Sequence, residues 1–440
     1  MDVKKKEIIT LDFRFLLLVL FLMPIAGIYS LMNKPVQIAD LLFLAFFLIW
    51  LPRRILAGKF RLNAKFRLFL AMLIVFCISA YFSPLGQISL AGLAIKMYLL
   101  SLAYVISEEI DSAAKFRMAL DSILFSGLYV IAFAFSGIVF FMTGRSSVFL
   151  CPPGILDLPL RFLPRVQSVF SSPSFLSSFL IIIMMLLVEK ASSCGSCVRR
   201  RLYLVYLILS AAALFFTFSR DIIGLGWGLI FLFMWRGVKR RAILSYSKLA
   251  MFLITVCVLV LTVWYIFPVT VYKTSPDMVP MSSAVQYKLD GGAIINRMGW
   301  VSEKFVSFNA HLHNRFIELR DSGRTFVNHP LLGIGVGVLP SQGYFTAPYS
   351  RSAHNTYLQV LAQTGILGFI VSLVFIISLF RILRAQGRDS PLYGTKLVFK
   401  AILVIFLVNM FFIDLDNFRY FWIIAGLIFS LKNIEGEKNA

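Results

Sequence analysis

Apolar runs of about 20 residues, the length of helix that crosses a bilayer core of about 30 Å, recur along the whole chain. They begin with "FRFLLLVLFLMPIAGIYSL" and end with "RYFWIIAGLIFSL". With 59% of the 440 residues hydrophobic and only 15% charged, against roughly 25% charged in soluble domains, the chain reads as an all-α polytopic membrane protein. The first run is expected to be a retained span, because it is too long for a cleaved signal and lacks a small-residue cleavage pattern.

Spans are expected near residues 10–31, 37–51, 68–84, 88–107, 115–142, 174–188, 202–217, 222–235, 249–267, 355–380, 397–414 and 419–431, about twelve in all. Basic runs favour the cytoplasmic side. An N-terminus inside puts "MDVKKKE", "RRILAGKFRLNAKFR", "CVRRR", "RGVKRR" and "RILRAQGR" together on that face, with both chain ends inside. The net charge of +22 is therefore a topology signal and an affinity for anionic headgroups, with no call for nucleic acid. Residues 1–267 form the first nine spans, 268–353 a long outer loop, and 354–440 the last three spans. The five cysteines give no disulfide framework, and Cys194 and Cys197 form a lone CxxC without the second pair that zinc needs.

Within the long loop, "NAHLHNRFIELRDSGRTFVNHPLLGIGVG" is helix-compatible until Pro330, Gly333, Gly335 and Gly337 break it into a tight loop. Function is expected there, since long loops on a rigid frame carry it.

Ionisable groups beside hydrocarbon are costly and mark function by default. His354 opens "HNTYLQVLAQTGILGF" and is expected in the first turn of a span, where the helix dipole favours a neutral imidazole able to take a proton. Asn355, Gln359 and Gln363 continue a polar stripe inward, expected beside a water- or sugar-filled cavity. Gly365 and Gly368 would let another helix approach. Arg220, in "FFTFSRDIIGLGWG", is either an interfacial arginine that snorkels or pairs with Asp221, or an anion clamp. Arg315 opens the helix-like stretch of the loop, with Arg297, Arg320 and Arg324 competing for its role. Lys96 is an intramembrane cation that would meet a lipid phosphate, Glu108 or Glu109. Arg165 would line the same cavity, as would Arg324. Asp414 and Asp416 form a DxD, a spacing that can hold a metal but makes a poor site with two carboxylates alone; the other reading is that they pair with Arg419. No nucleotide, hydrolase or metal motif is present in the sequence.

"HNTYLQVLAQTGILGF" resembles the signature of O-antigen ligases, an H-N pair followed by GxxG, here His354–Asn355 and Gly365–Gly368. "RFIELRDSGRTFVNHPLLGIGVG" is similar to the family's arginine-led periplasmic helix and its HPLLGxGxG turn. "FSRDIIG", "RVQSVFSSPSF" and "RYFWIIAGLIF" resemble further family segments, over roughly the latter two-thirds of the chain. The resemblance implies about twelve helices in a fold similar to C-type glycosyltransferases, in the bacterial inner membrane, with a periplasmic active site and no metal or other cofactor. It implies en bloc transfer of a glycan from undecaprenyl diphosphate to a sugar hydroxyl of lipid A–core, with inversion. His354 would be the general base, and Arg220 and Arg315 would hold the diphosphate.

O-antigen and exopolysaccharide polymerases share this signature, and use a second lipid-linked glycan as acceptor. A reading of another class is a lipid-linked oligosaccharide flippase. Basic residues spread through a central cavity and a repeat of halves would mark one, and the sequence has neither.

Overall fold

The computed structural model describes residues 10–25, 29–31, 34–58, 63–143, 147–150, 165–219, 221, 225–226, 317–338, 353–384 and 392–436. The expected spans at 222–235 and 249–267 lie outside these residues but for Leu225 and Gly226, as do Arg220, Arg297 and Arg315. In chain order the described elements are α1 (Leu11–Leu22), a hairpin of β1 (Tyr29–Leu31) and β2 (Lys34–Val36), α2 (Ile38–Leu56), α3 (Ala64–Tyr81), α4 (Gly86–Glu109), α5 (Ala113–Met142), α6 (Pro173–Ser193) and α7 (Cys197–Phe215). A helix over 317–328, here α8, follows, then α9 (Thr356–Ile382), α10 (Tyr393–Asn409) and α11 (Arg419–Gly436).

Among the described residues five helices, α3, α4, α5, α6 and α9, are long and apolar enough to cross a membrane. The first apolar run behaves differently from expectation. Its helix stops at Leu22, because Pro24 has no N–H to donate, and Tyr29↔Val36 and Leu31↔Lys34 then pair in an antiparallel hairpin.

Capping fixes where the helices start. Thr10, Asn63, Ser112 and Ser172 each accept a first-turn N–H on their side-chain oxygens, satisfying donors that a helix start leaves unpaired. At the centre, α4 packs on α3 and α11. Small residues permit the close approach that drives helix association in lipid: a Cβ on Gly426 would overlap the Ala103 carbonyl of α4. Helix α6 is buried continuously from Leu176 to Val188. By contrast, α9 exposes Leu367, Ile370, Leu373, Val374 and Ile377, and α3 exposes Leu70, Ile74 and Ile78; rows of this kind suit lipid. At the C-terminal end of α4, Glu108 meets Lys65 at 2.5 Å and Arg54 at 3.6 Å, while Glu109 accepts the Trp50 indole N–H at 2.6 Å.

The feature that organises the opposite end is a break in α9. Gly365 adopts φ 63° and ψ −165°, so the helix cannot close its bonds from Ile366 to Ala362 and from Leu367 to Gln363. The 330–338 loop supplies substitutes. Ile334 N–H donates to the Ala362 carbonyl at 2.9 Å and Gly335 N–H to that of Gln363 at 3.0 Å. In return Ile366 and Leu367 N–H donate to the Pro330 and Leu331 carbonyls at 2.8 and 3.4 Å. Three serines of α3, α4 and their connection fasten the arrangement from the other side. Ser79 donates to the Gln363 carbonyl, Ser83 to that of Ile334 and Ser89 to that of Val336, at 2.8, 2.7 and 3.1 Å.

Glycine is required on both surfaces of this joint. A Cβ on Gly333 would overlap the Gln363 carbonyl, one on Gly365 the Leu331 carbonyl, and one on Gly337 the Cα of Gly92. The sequence reading of Gly365 as a helix–helix contact is thereby corrected: what approaches it is the backbone of a loop.

Gly333→Ala adds left-handed strain, costing about 1–2 kcal/mol, to a collision with backbone, so it is expected to lower the unfolding temperature of the purified protein by several degrees. Gly323→Ala, in α8 with open space around it, should instead raise stability by up to about 1 kcal/mol. Equal melting of the two variants would contradict the joint.

Candidate active site at the start of the broken helix

The side chain of Asn355 accepts the Leu358 N–H at 3.0 Å and so caps α9. His354 is thus outside the helix, one residue before the cap, where it was expected in the first turn. It takes φ 47°, a left-handed conformation uncommon for a non-glycine residue, and its side chain is half-buried.

The chain is held on both sides of this histidine. On its N-terminal side, Ala353 N–H donates to Gln359 Oε1 at 3.1 Å. On its C-terminal side, Thr356 N–H donates to the Met410 carbonyl at 2.8 Å. Thr356 Oγ1 donates to the Ile413 carbonyl and accepts the Leu415 N–H, at 2.8 and 2.9 Å. Asn355 Nδ2 reaches the Phe411 carbonyl at 3.4 Å, and Tyr357 OH that of Leu407 at 2.7 Å.

The polar stripe is therefore used differently from expectation. Gln359 braces the residue before His354. Gln363 accepts from Gly337 N–H at 3.2 Å and donates to the Val338 carbonyl at 3.0 Å. Burying such amides without partners in an apolar setting would cost several kcal/mol; here backbone groups meet them. Beneath the loop lies an apolar cavity of about 90 Å³, lined among others by Met72, Phe76, Lys96, Gln363, Phe375 and Trp422. Of the expected liners Lys96 reaches it, whereas Arg324 lies exposed on α8.

Lys96 is buried and spends its three ammonium protons within the protein. They go to Asp416 Oδ2 at 2.8 Å, the Asp416 carbonyl at 3.1 Å and Asn417 Oδ1 at 2.9 Å. It does not turn to Glu108, which lies 12 residues along the same helix, a rise of about 18 Å. The expected DxD pairing with Arg419 is likewise replaced: Arg419 forks onto Asp40 at 2.8 and 2.5 Å.

A second cluster surrounds the residue after Arg220. Asp221 is 1% exposed; its Oδ2 accepts from Ser177 and, at 3.1 Å, from Ser178. Burial pushes its carboxyl up to about 6, opposed by those hydroxyls and by the charge of Arg165. Arg165 itself donates from Nε to the Thr217 carbonyl at 3.0 Å, and Val166 N–H to that of Phe216 at 2.9 Å. The segments "RVQSVFSS" and "FSRD" are thus joined, and each contains a non-glycine residue with positive φ, Ser168 at 52° and Phe218 at 47°.

Sequence reasoning did not find Thr356 or the serines at 79, 83, 89, 177 and 178, and it gave Asp416 the wrong partner. Their only signal is small polar residues set inside apolar runs, in "CISAYFSPLGQISLAG" and "SSPSFLSSF".

Residues 205–373 match the O-antigen ligase family model. No match was found among curated proteins. The matched segment includes Arg220, Arg315, Arg324, His354, Asn355, Gln359 and both glycine motifs. It excludes Lys96, Arg165 and Asp416. The match bears out the resemblance over those residues.

Because the native Asp221 binds its proton more tightly than an ordinary carboxyl of 3.8, its contribution to stability is greatest at low pH. It falls as pH rises from about 4 to about 6, by up to about 3 kcal/mol. Relative to wild type, Asp221→Asn should therefore gain thermal stability between pH 4 and pH 7. A constant difference across that range would contradict the burial of this carboxyl.

Proposed function

We propose that the protein is an O-antigen ligase-like glycosyltransferase with the architecture of C-type glycosyltransferases. In this reading it moves a glycan en bloc from undecaprenyl diphosphate to a sugar hydroxyl of lipid A–core, at the periplasmic face of the bacterial inner membrane. The observation that supports it is the joint between the two family motifs. The HPLLGIGVG loop fills the break in α9, and His354 is held in a strained conformation at the head of that helix.

In this reading a neutral His354 imidazole takes the proton of the acceptor hydroxyl as its oxygen attacks the anomeric carbon. The bond from that carbon to the diphosphate oxygen breaks on the opposite face, which inverts the configuration. The leaving diphosphate carries charge that Arg220 and Arg315, assigned from the sequence and its resemblance to the family, would hold bidentately. Their charge would let the reaction run without a metal, and chelator treatment of washed membranes should leave transfer unaffected.

The decisive experiment deletes the gene and separates the host's lipid A-linked and undecaprenyl-linked glycans. A ligase strands full-length polymer on undecaprenyl diphosphate and leaves bare lipid A–core. A polymerase leaves single repeat units on their usual acceptor. Repeats trapped on the cytoplasmic side would overturn both in favour of a flippase. Complementation with His354→Ala should lower transfer by about 10²–10⁴-fold, and normal glycans in that strain would exclude the general-base role.

A further inference from the structure

The Lys96–Asp416 ion pair lies outside the segment that matches the family model and is buried, with both side chains under 10% exposed; among the described residues Lys96 bonds Asp416 and Asn417 and not His354. A buried pair of this kind is a weak source of net stability, since desolvation consumes most of the attraction. Its position suggests another use. Asp416 belongs to the turn between α10 and α11, and that turn is what the start of α9 hangs from.

The connections run as follows. Lys96 grips Asp416 and Asn417 from α4. The Asp416 carbonyl also accepts the Trp422 indole N–H at 3.0 Å, and the Arg419–Asp40 fork fixes the far end of the turn to α2. Carbonyls of Met410, Phe411 and Ile413, with the Leu415 N–H, then bind Thr356 and Asn355. Thr356 bonds the turn three times, through its N–H and twice through its hydroxyl, two residues from His354.

We propose that Lys96, Asp416 and Thr356 are positioning residues for His354, a strut that sets the imidazole relative to the acceptor hydroxyl without touching substrate. The proposal rests on the general-base reading above for its catalytic consequence, but its geometric content stands alone. A displacement of about 1 Å at a reacting group is sufficient to cost about 10²-fold in rate.

Thr356→Val keeps shape and removes both hydroxyl bonds; Thr356→Ser restores the hydroxyl. Asp416→Asn breaks the pair while leaving the turn its amide. In membrane vesicles charged with the host's lipid-linked glycan, Thr356→Val and Asp416→Asn are expected to lower kcat by about 10–10²-fold with little change in KM for the donor. Thr356→Ser should recover most of the rate. The strut is overturned if Thr356→Val keeps the wild-type kcat, or if Thr356→Ser is as impaired as Thr356→Val.

A second readout needs no transfer activity. Placed in a His354→Cys background, Thr356→Val and Asp416→Asn should increase labelling at that position by a membrane-impermeant maleimide at least several-fold over the five native cysteines. Unchanged labelling overturns the strut. If His354→Ala transfers normally while labelling still rises, the base assignment fails and the strut survives as a structural element. If His354→Ala is inactive and labelling does not respond, the strut alone fails.

Discussion

A helix broken inside a membrane must find new partners for the backbone groups it releases, because in hydrocarbon each unsatisfied group costs several kcal/mol. In this protein the break at Gly365 removes two intrahelical bonds, and the 330–338 loop replaces them with four. The rest of the arrangement depends on that exchange. It obliges Gly333 and Gly365 to lack side chains, sets Ser79, Ser83 and Ser89 facing the joint, and binds a loop far away in sequence to α9. A site built from the loop and from the start of α9 can then hold one geometry.

Charge follows the same logic. The buried Lys96 and the partly buried Arg419 are each matched by a carboxylate distant in the chain, Asp416 and Asp40. They knit α2, α4 and α11 at the end of the bundle where the loop inserts. Asp221 differs: its Oδ2 accepts from serine hydroxyls, and its Oδ1 has no hydrogen-bond partner among the described residues. A group held near its protonation point beside Arg165 is costly to maintain, and such groups gather where binding or chemistry sets the requirement.

Much of the frame was legible in the sequence, since span length and apolar content fix where helices run: α3, α4, α5, α6 and α9 lie within a few residues of their expected bounds. The special character of "HNTYLQVLAQTGILGF" and "HPLLGIGVG" was also legible, through the density of polar and glycine residues in apolar surroundings. What the two do to each other was not. Gly365 read as a helix contact, and the loop partners of Gln363 went unseen, because periodicity describes one element at a time, whereas the partners of both are a loop about 30 residues away in the chain. Lys96 and Asp416 are 320 residues apart, and no local spacing relates them. His354 lies just before the cap and not in the first turn, because Asn355 accepts the Leu358 N–H and caps the helix.

Hydrogen–deuterium exchange of the full-length protein in lipid nanodiscs tests the joint most directly. Glycine-rich loops ordinarily exchange fast, but here the amides of Ile334 and Gly335 donate to a transmembrane helix. They should exchange as slowly as the amides of Ile366 and of the α9 segment that follows. Exchange of residues 331–338 at the rate of an open loop, with α9 still protected, would mean that the helix break is satisfied by something else, and would contradict the account.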